Sequence, residues 1–449
     1  MKFIIHGGKP LFGEVTLAGA KNAVSKMMVA SLLTDEPCIL ENVPAIGEVE
    51  IITELLKRIG SEITIVGSTA KIATPEIKNS RVTELSRSNR IPILALGPLL
   101  ARAGEAEVPI LGGDKLGARP VDIHLEALAK LGAQIQVTKQ SFHAWAKSGL
   151  RGTEIELRFP SVGATENAIL AAVLAHGKTV IKNAALEPEL IDLILMLQKM
   201  GAIIELCPPR TITIEGVPRL RGVTHRIIAD RNEAISFAAL AIATDGKILV
   251  KGAVQEDLIT FLNAVRRMGA EYEVLPDGIS FFRNGTSANE NTNGLKALSI
   301  QTDVHPGFMT DWQQPFCVAM TQAEGTSAIH ETIYEDRFAY AHDLNEMGAK
   351  IRVSTECPAN GATAYALELR PQCRFAGRGF YHYATIEGPT KLTSKNLVVR
   401  DLRSGMVDII AALVANGVSE IDGAEEIDRG YERIDERLRD LGADIKRVE

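Results

Sequence analysis

Two helical rhythms of apolar and polar positions recur six times along this chain. The first rhythm is amphipathic and ends in glycine before a strand-like tail: LLKRIGSEI, ALAKLGAQI, MLQKMGAII, AVRRMGAEY, DLNEMGAKI and RLRDLGADI. Its glycines are Gly60, Gly132, Gly201, Gly269, Gly348 and Gly442, at intervals of 72, 69, 68, 79 and 94 residues. A glycine closing a helical pattern predicts a left-handed cap, the conformation that glycine adopts without steric cost. The second rhythm is apolar nearly all round and rich in small residues: MMVASLLTDEP, LGPLLARAG, LAAVLAHG, FAALAIATDG, FCVAMTQAEG and IAALVANG. Five copies end in Gly104, Gly177, Gly246, Gly325 and Gly417, while Asp35-Glu36-Pro37 closes the first. An Ile- or Val-bearing strand segment follows each copy. A helix apolar on every face is buried, whereas one with a charged face lies nearer solvent.

The repeat predicts an α/β protein of two inside-out domains, each of three units with buried helices surrounded by sheets. A period near seventy is too long for the common solenoids. Strands at Arg210–Glu215 and His225–Ile228 precede the fourth small-residue helix, as Lys2–His6 and Glu14–Leu17 precede the first, but the last unit ends at Glu449 after a single strand. The N-terminal strands are therefore expected to complete it. One domain is then 21–229 and the other 1–20 with 230–449, the chain crossing near Lys21 and Asp230. A cleft between such domains is the expected ligand site, with closure on substrate.

Composition narrows the function classes. At 449 residues, 46% hydrophobic and 23% charged, the chain is globular and long enough for two cores. Its net charge of −7 argues against a general affinity for nucleic acid or acidic membranes, and no apolar run approaches spanning length. The five cysteines are scattered, without C-x-x-C, and the N-terminus lacks a signal-peptide core, so a cytoplasmic protein with reduced thiols is expected. The nine histidines include no H-x-x-x-H, so no metal site is expected, and His124 and His305 read as packing or hydrogen-bonding residues. Trp312 and Tyr431 read as packing. Any anion site must be a local cluster of bases. Lys21, Arg90, Arg119, Arg337, Arg403 and Arg429 mostly fall beside predicted helix starts or strand ends, where free N–H groups favour anions. Asp428 reads as a possible helix cap. The glycine-rich stretch Gly112 to Pro120 is the most loop-like, and lacks the G-K-[ST] ending of a phosphate-binding loop.

Several segments resemble those of UDP-N-acetylglucosamine 1-carboxyvinyltransferases, a family of enolpyruvyl transferases. They are Ala18-Gly19-Ala20-Lys21-Asn22-Ala23, Gly117-Ala118-Arg119-Pro120-Val121-Asp122, Pro160 to Asn167, Thr310-Asp311, Asp336-Arg337-Phe338, Asp401-Leu402-Arg403 and Asp428 to Arg433. The resemblance runs end to end. It implies two inside-out domains of three repeats, phosphoenolpyruvate and UDP-N-acetylglucosamine as substrates, and no cofactor. It implies Asp311 as the base near the sugar hydroxyl. Lys21, Arg119, Arg403 and Arg429 would hold phosphate and carboxylate, with Arg90 and Arg337 in support. Asn22 would touch the sugar. Arg119, Pro120, Val121, Asp122 and Ile123, with Ser161, Val162 and Gly163, would line the uridine-diphosphate site. Where the usual family member has a cysteine, the thiol that fosfomycin alkylates, this chain has Asp114, implied as proton donor. Leu94 and Pro92 also depart from the usual pattern. The stretch 371–400 is longer than the family norm; a surface insertion is expected, with a changed acceptor or partner surface as the sharper alternative.

Overall fold

The computed structural model describes residues 1–87, 90–110, 121–283, 294–357 and 373–449. They divide into two compact units. One holds Met1–Leu17 and Asp230–Glu449; the other holds the described residues of Ala18–Gly113 and Arg119–Ala229.

Each unit is built on three core helices with the small-residue signature. In the unit from Ala18 to Ala229 these are α1 (Lys21–Ala30), α2 (Leu96–Ala103) and α3 (Val162–Ala172); in the other they are α4 (Arg231–Ala243), α5 (Thr310–Thr321) and α6 (Leu402–Val414). Every residue of α4 is buried, and only Asp311 of α5 and Val414 of α6 are not. Alanine, serine and glycine keep these helices thin, so helix packs on helix at close range inside a shell of sheet. Gly97 shows the tolerance: a Cβ there would lie 3.0 Å from the backbone nitrogen of Ala171 in α3.

The amphipathic helices lie outside the core helices and end as the glycines predict. Gly60, Gly132, Gly201, Gly269, Gly348 and Gly442 all have φ between 85° and 122°. Of the second set, Gly104, Gly177, Gly325 and Gly417 are also left-handed, but Gly246 is not. There Asp245 takes the positive φ of 58°, and Gly246 is required for another reason: a Cβ would sit 2.0 Å from the Leu11 carbonyl oxygen.

Among the described residues, five sheets have four strands and share one plan, a short parallel strand at one edge and antiparallel pairs beyond it. The sixth has three, and its parallel edge is reduced to a bridge between Arg81 and Glu107. The N-terminal strands part company, contrary to the expectation that both complete the last unit. Lys2–Gly7 inserts between Gly417–Asp422 and Asp444–Val448, antiparallel to both. Phe12–Thr16 instead forms the parallel edge beside Lys247–Lys251 of the fourth unit. Thr224–Arg226 does the same for Cys38–Glu41 of the first unit. In each unit, then, a strand distant in sequence supplies the edge of its first sheet.

Carboxyl groups in the core helices break the apolar rule, among them Asp408 in α6 and Glu166 in α3. Glu166 in α3 is buried, and neither carboxyl oxygen has a hydrogen-bond partner among the described residues. Burial, opposed by Lys26 and reinforced by Glu189 and Glu187, pushes its pKa up to about 7. The folded state therefore holds this proton more tightly than the unfolded chain does. Stability from this group is present at low pH and is lost as pH rises from the unfolded value through about 7. Glu166→Gln is expected to match the parent at about pH 3.5, below the unfolded value, and to exceed it by up to about 3 kcal/mol at pH 8. Denaturation midpoints of both proteins across pH measure this, and a difference that does not change with pH contradicts it.

Candidate active site

The sequence places several candidate site residues at the first turns of the core helices. In the unit containing Asp230–Glu449, three such turns come together. Helix α4 is capped by Asp230, which accepts from the Asn232 and Glu233 amides at 2.7 and 3.2 Å. Helix α6 starts with a capping box: Asp401 accepts from the amides of Arg403 and Ser404, and Ser404 Oγ accepts from the Asp401 amide at 3.1 Å. Helix α5 carries Asp311 in its first turn. Trp312 ties two of these starts by donating from Nε1 to Asn232 Oδ1 at 3.0 Å, and Arg231 stacks over its ring at 5.5 Å.

The Asp311 carboxylate lies between two buried guanidinium groups. Arg337 Nη2 donates to Oδ1 at 2.5 Å, and Arg403 Nε is 3.5 Å from Oδ2. Arg403 also donates from Nη1 to the Tyr431 hydroxyl at 3.1 Å, which in turn shares a hydrogen bond of 2.8 Å with Ser236 in α4. Burial works against the charge on Arg403, but Tyr431, Asp311 and Asp230 outweigh it and hold its pKa above the ordinary value. Arg337 stands likewise: burial opposes its charge, and Asp311, Glu331 and Tyr334 more than compensate. Both side chains are fixed cations in a dry setting, where their field acts at full strength on any anion admitted.

Glu331, unremarked in the sequence, organises the turn that presents Arg337. It is fully buried and accepts from Thr310 Oγ1 at 2.7 Å and from the amides of Ile333 and Tyr334 at 2.7 and 3.0 Å. Burial raises its pKa, against the pull of Arg337. Asp336 then takes a left-handed φ of 50°, and Arg337 stacks over the Tyr334 ring at 5.1 Å. Arg429 pairs instead with Glu426 at 2.6 Å. Asp428 caps no helix start, because the next helix begins only at Ile434; its carboxylate holds Arg447 through bonds of 2.6 and 2.8 Å.

In the unit from Ala18 to Ala229, Lys21 is the first residue of α1 and pairs with the buried Glu48 at 3.2 Å. Asn22 follows it. Arg90 precedes a tight 3₁₀ turn, Ile91–Ala95, in which Pro92 falls at a first-turn position where a missing N–H costs nothing, and Leu94 is buried. That turn packs against both α1 and α3. Val121, Asp122 and Ile123 form the start of helix Asp122–Lys130, and Ser161, Val162 and Gly163 form the start of α3. The two starts adjoin: His124 hydrogen-bonds Asn167 at 3.4 Å, and a Cβ on Gly163 would lie 2.9 Å from its ring. Burial, helped by nearby Arg90, pushes the His124 pKa down to about 3, so this ring is neutral. Two adjoining helix N-termini beside a neutral imidazole suit an anionic, polar ligand. Asp114, Arg119 and Pro120 lie outside the described residues.

The expectation of no metal site considered local spacing alone. The fold brings the ligand atoms of His330, Cys357, Cys373 and His382 within 4.8 Å of one another. The 371–400 stretch also differs from a plain surface insertion. Phe375 and His382 are buried in it, and Tyr383–Gly388 is an interior strand, because this stretch returns the chain to its own sheet.

A family model described as EPSP synthase (3-phosphoshikimate 1-carboxyvinyltransferase) matches residues 5–438. The chain is 47% identical to the UDP-N-acetylglucosamine 1-carboxyvinyltransferase of Protochlamydia amoebophila, over 99% of this chain and 94% of that protein. It is 45% identical to the Chlamydia pneumoniae protein of the same name, over 98% and 94%. Among solved structures, the enolpyruvyl transferase NikO from Streptomyces tendae superposes with a TM-score of 0.83 at 23% identity, covering 99% and 98% of the two chains. An EPSP synthase from Acinetobacter baumannii gives 0.69 at 17% identity, covering 99% and 100%. At these identities the solved structures speak for the fold alone.

Tyr431→Phe tests the chain of contacts behind Arg403. It strands one guanidinium N–H in a buried place and removes one of the two partners of the Ser236 hydroxyl, which still donates to the Asn232 carbonyl at 3.1 Å, so stability should fall by about 1–3 kcal/mol. Because both groups share the one hydroxyl, adding Ser236→Ala should cost less than its effect in the parent. A double-mutant cycle by chemical denaturation checks this, and strictly additive losses contradict it.

Proposed function

The chain belongs to the EPSP synthase family, and from that membership we propose that it transfers the enolpyruvyl group of phosphoenolpyruvate to the 3-hydroxyl of UDP-N-acetylglucosamine, releasing phosphate. The observation that carries this reading is the near end-to-end identity with relatives bearing that name. The simultaneous presence of Lys21, Asp311, Arg403 and Arg429 speaks against a non-catalytic homologue. No described helix is long and apolar enough to cross a membrane, and the reading places the reaction in the cytoplasm.

The chemistry follows from the groups. Protonation of the methylene carbon of phosphoenolpyruvate makes the neighbouring carbon electrophilic. The sugar hydroxyl attacks that carbon and gives its proton to Asp311, whose carboxylate the two arginines hold in one orientation. The resulting tetrahedral ketal then loses phosphate and a methyl proton to regenerate the double bond. Arg403, with Lys21, Arg119 and Arg429, meets the phosphate and carboxylate charges, Arg90 and Arg337 support them, and Asn22 touches the sugar. The starts of Asp122–Lys130 and α3 take the uridine diphosphate. Fixed cations act most strongly on charge that builds up during reaction, because they need no rearrangement to meet it. Asp114 gives the first proton in this reading.

The decisive experiment is phosphate release from phosphoenolpyruvate with UDP-N-acetylglucosamine, compared with shikimate 3-phosphate and other sugar nucleotides. Turnover confined to a different nucleotide would replace the proposed acceptor. Asp311→Asn keeps the shape but cannot take a proton, so kcat should fall about 10²-fold or more with little change in substrate binding. Near-normal turnover would remove Asp311 from the base role.

Fosfomycin, an epoxide that alkylates a thiol, should leave no adduct at the 112–120 segment, since a carboxylate is a poorer nucleophile than a thiolate. Intact-protein mass spectrometry after incubation reads this, with Asp114→Cys as the positive control. An adduct on the parent segment overturns the prediction. An Asp114→Ala variant of full activity would remove Asp114 as proton donor.

A further inference from the structure

Four potential metal ligands meet at one end of the sheet formed by Ser299–Gln301, Gly325–His330, Tyr383–Gly388 and Lys350–Ser354. His330 is the last residue of its strand and is paired in register with Tyr383. His382 immediately precedes Tyr383, and Cys357 lies three residues beyond Ser354, itself paired with Tyr383. Cys373 enters from the far end of the connection between those two strands. One sulfur or ring nitrogen from each residue falls within 4.8 Å of every other, and Cys357 Sγ is 3.2 Å from His382 Nε2. Both histidines are buried and both cysteines half-buried.

The outer hydrogen bonds select the nitrogens that face inward. His382 Nδ1 donates to the Phe380 carbonyl at 2.8 Å, which turns the Nε2 lone pair toward the Cys357 sulfur at 3.2 Å. His330 Nδ1 lies 3.3 Å from Gln301 Oε1, and its Nε2 is buried with no hydrogen-bond partner among the described residues. An imidazole fixed at one nitrogen by a carbonyl oxygen, with the other lone pair facing the remaining ligands, is the arrangement found around metal-bound histidines. A buried polar atom left unbonded is otherwise costly. Two thiols and two imidazoles match tetrahedral zinc by donor type. With bonds of about 2.0–2.3 Å, the ligand atoms of such a site lie roughly 3.3–3.8 Å apart, so the widest pairs of the 4.8 Å grouping close by about 1 Å on binding.

We propose that His330, Cys357, Cys373 and His382 form a structural zinc site that fastens the segment around Cys357 and the segment from Cys373 to His382 to the end of their sheet. Binding converts both thiols to thiolates and releases two protons. No coordination position is left for substrate, so the role is structural. The site also steadies the turn carrying Arg337. Glu331 follows His330 directly; the Tyr381 amide donates to Asp336 Oδ1 at 2.8 Å, and the Arg374 guanidinium donates to the Ile333 carbonyl. Phe375 packs its ring on His382 at 6.0 Å. The zinc thus holds the 331–337 turn through its first residue and through the strand return. This holds whichever nucleotide is the acceptor.

The test is metal analysis of the full chain, expressed with added zinc and purified under reducing conditions. About one zinc per chain is expected. After exchange, cobalt(II) should show thiolate charge-transfer absorption and the intense d–d bands of a tetrahedral site. Cys357→Ser and Cys373→Ser should each abolish that spectrum and cut bound zinc by about tenfold or more. Cys207→Ser, at an exposed free cysteine, should change neither. Chelation of the parent should lower its Tm by on the order of 5–10 °C, with recovery on zinc addition, a reading that survives even if a variant fails to fold. Two results would overturn the proposal: a parent that takes up neither metal, or metal that persists in both cysteine variants.

Discussion

The burial of the core helices constrains everything else in each unit. A helix sealed on all sides by other helices and by sheets has no flank to offer a ligand. Its only groups able to meet one are those of its first turn, where backbone N–H groups have no partner within the helix. Several of the residues proposed for the site stand there: Lys21 and Asn22 open α1, Ser161 to Gly163 open α3, Asp311 lies in the first turn of α5 and Arg403 in that of α6. The same geometry that excludes polar groups from the core concentrates them at the helix tips, where the helix dipole favours anions.

That concentration has a cost which the local architecture meets. Arg337 and Arg403 are nearly excluded from solvent, and an isolated buried guanidinium would be strongly destabilising. Asp311 answers both, Tyr431 and Ser236 extend the support of Arg403, and Glu331 extends that of Arg337. The capping box at Asp401 fixes the backbone from which Arg403 projects. Removal of any one member leaves a charge or a donor without its complement, so these residues act as a unit rather than as separate contacts.

The repeats close through long-range strands. Lys2–Gly7 enters the last sheet and Phe12–Thr16 the fourth, while Thr224–Arg226 returns to the first. Each unit thereby becomes a ring of three similar parts instead of an open stack with an exposed sheet edge at its end. The fifth part departs from its fellows. Its strand connection is long, and buried histidine and half-buried cysteine stand where an ordinary hairpin would carry solvent-facing residues.

Much of this was legible in the residues alone. Periodicity disclosed the two kinds of helix because burial on all sides and burial on one side leave different apolar patterns. The six glycines from Gly60 to Gly442 marked left-handed caps because no other residue takes that conformation so cheaply. The motifs around Lys21, Asp311, Arg337 and Arg403 pointed to the family. Other features were decided only by the fold. The parting of the two N-terminal strands depends on which sheet edge each meets. Gly246 serves a close approach to Leu11, a contact no local pattern contains. Glu331 looks ordinary until its burial beside Thr310 and Arg337 is seen. His330, Cys357, Cys373 and His382 obey no metal-binding spacing, because antiparallel pairing, not proximity along the chain, brings them to one sheet end. Sequence records what each residue can do, and only strand register and helix packing determine which residues do it together.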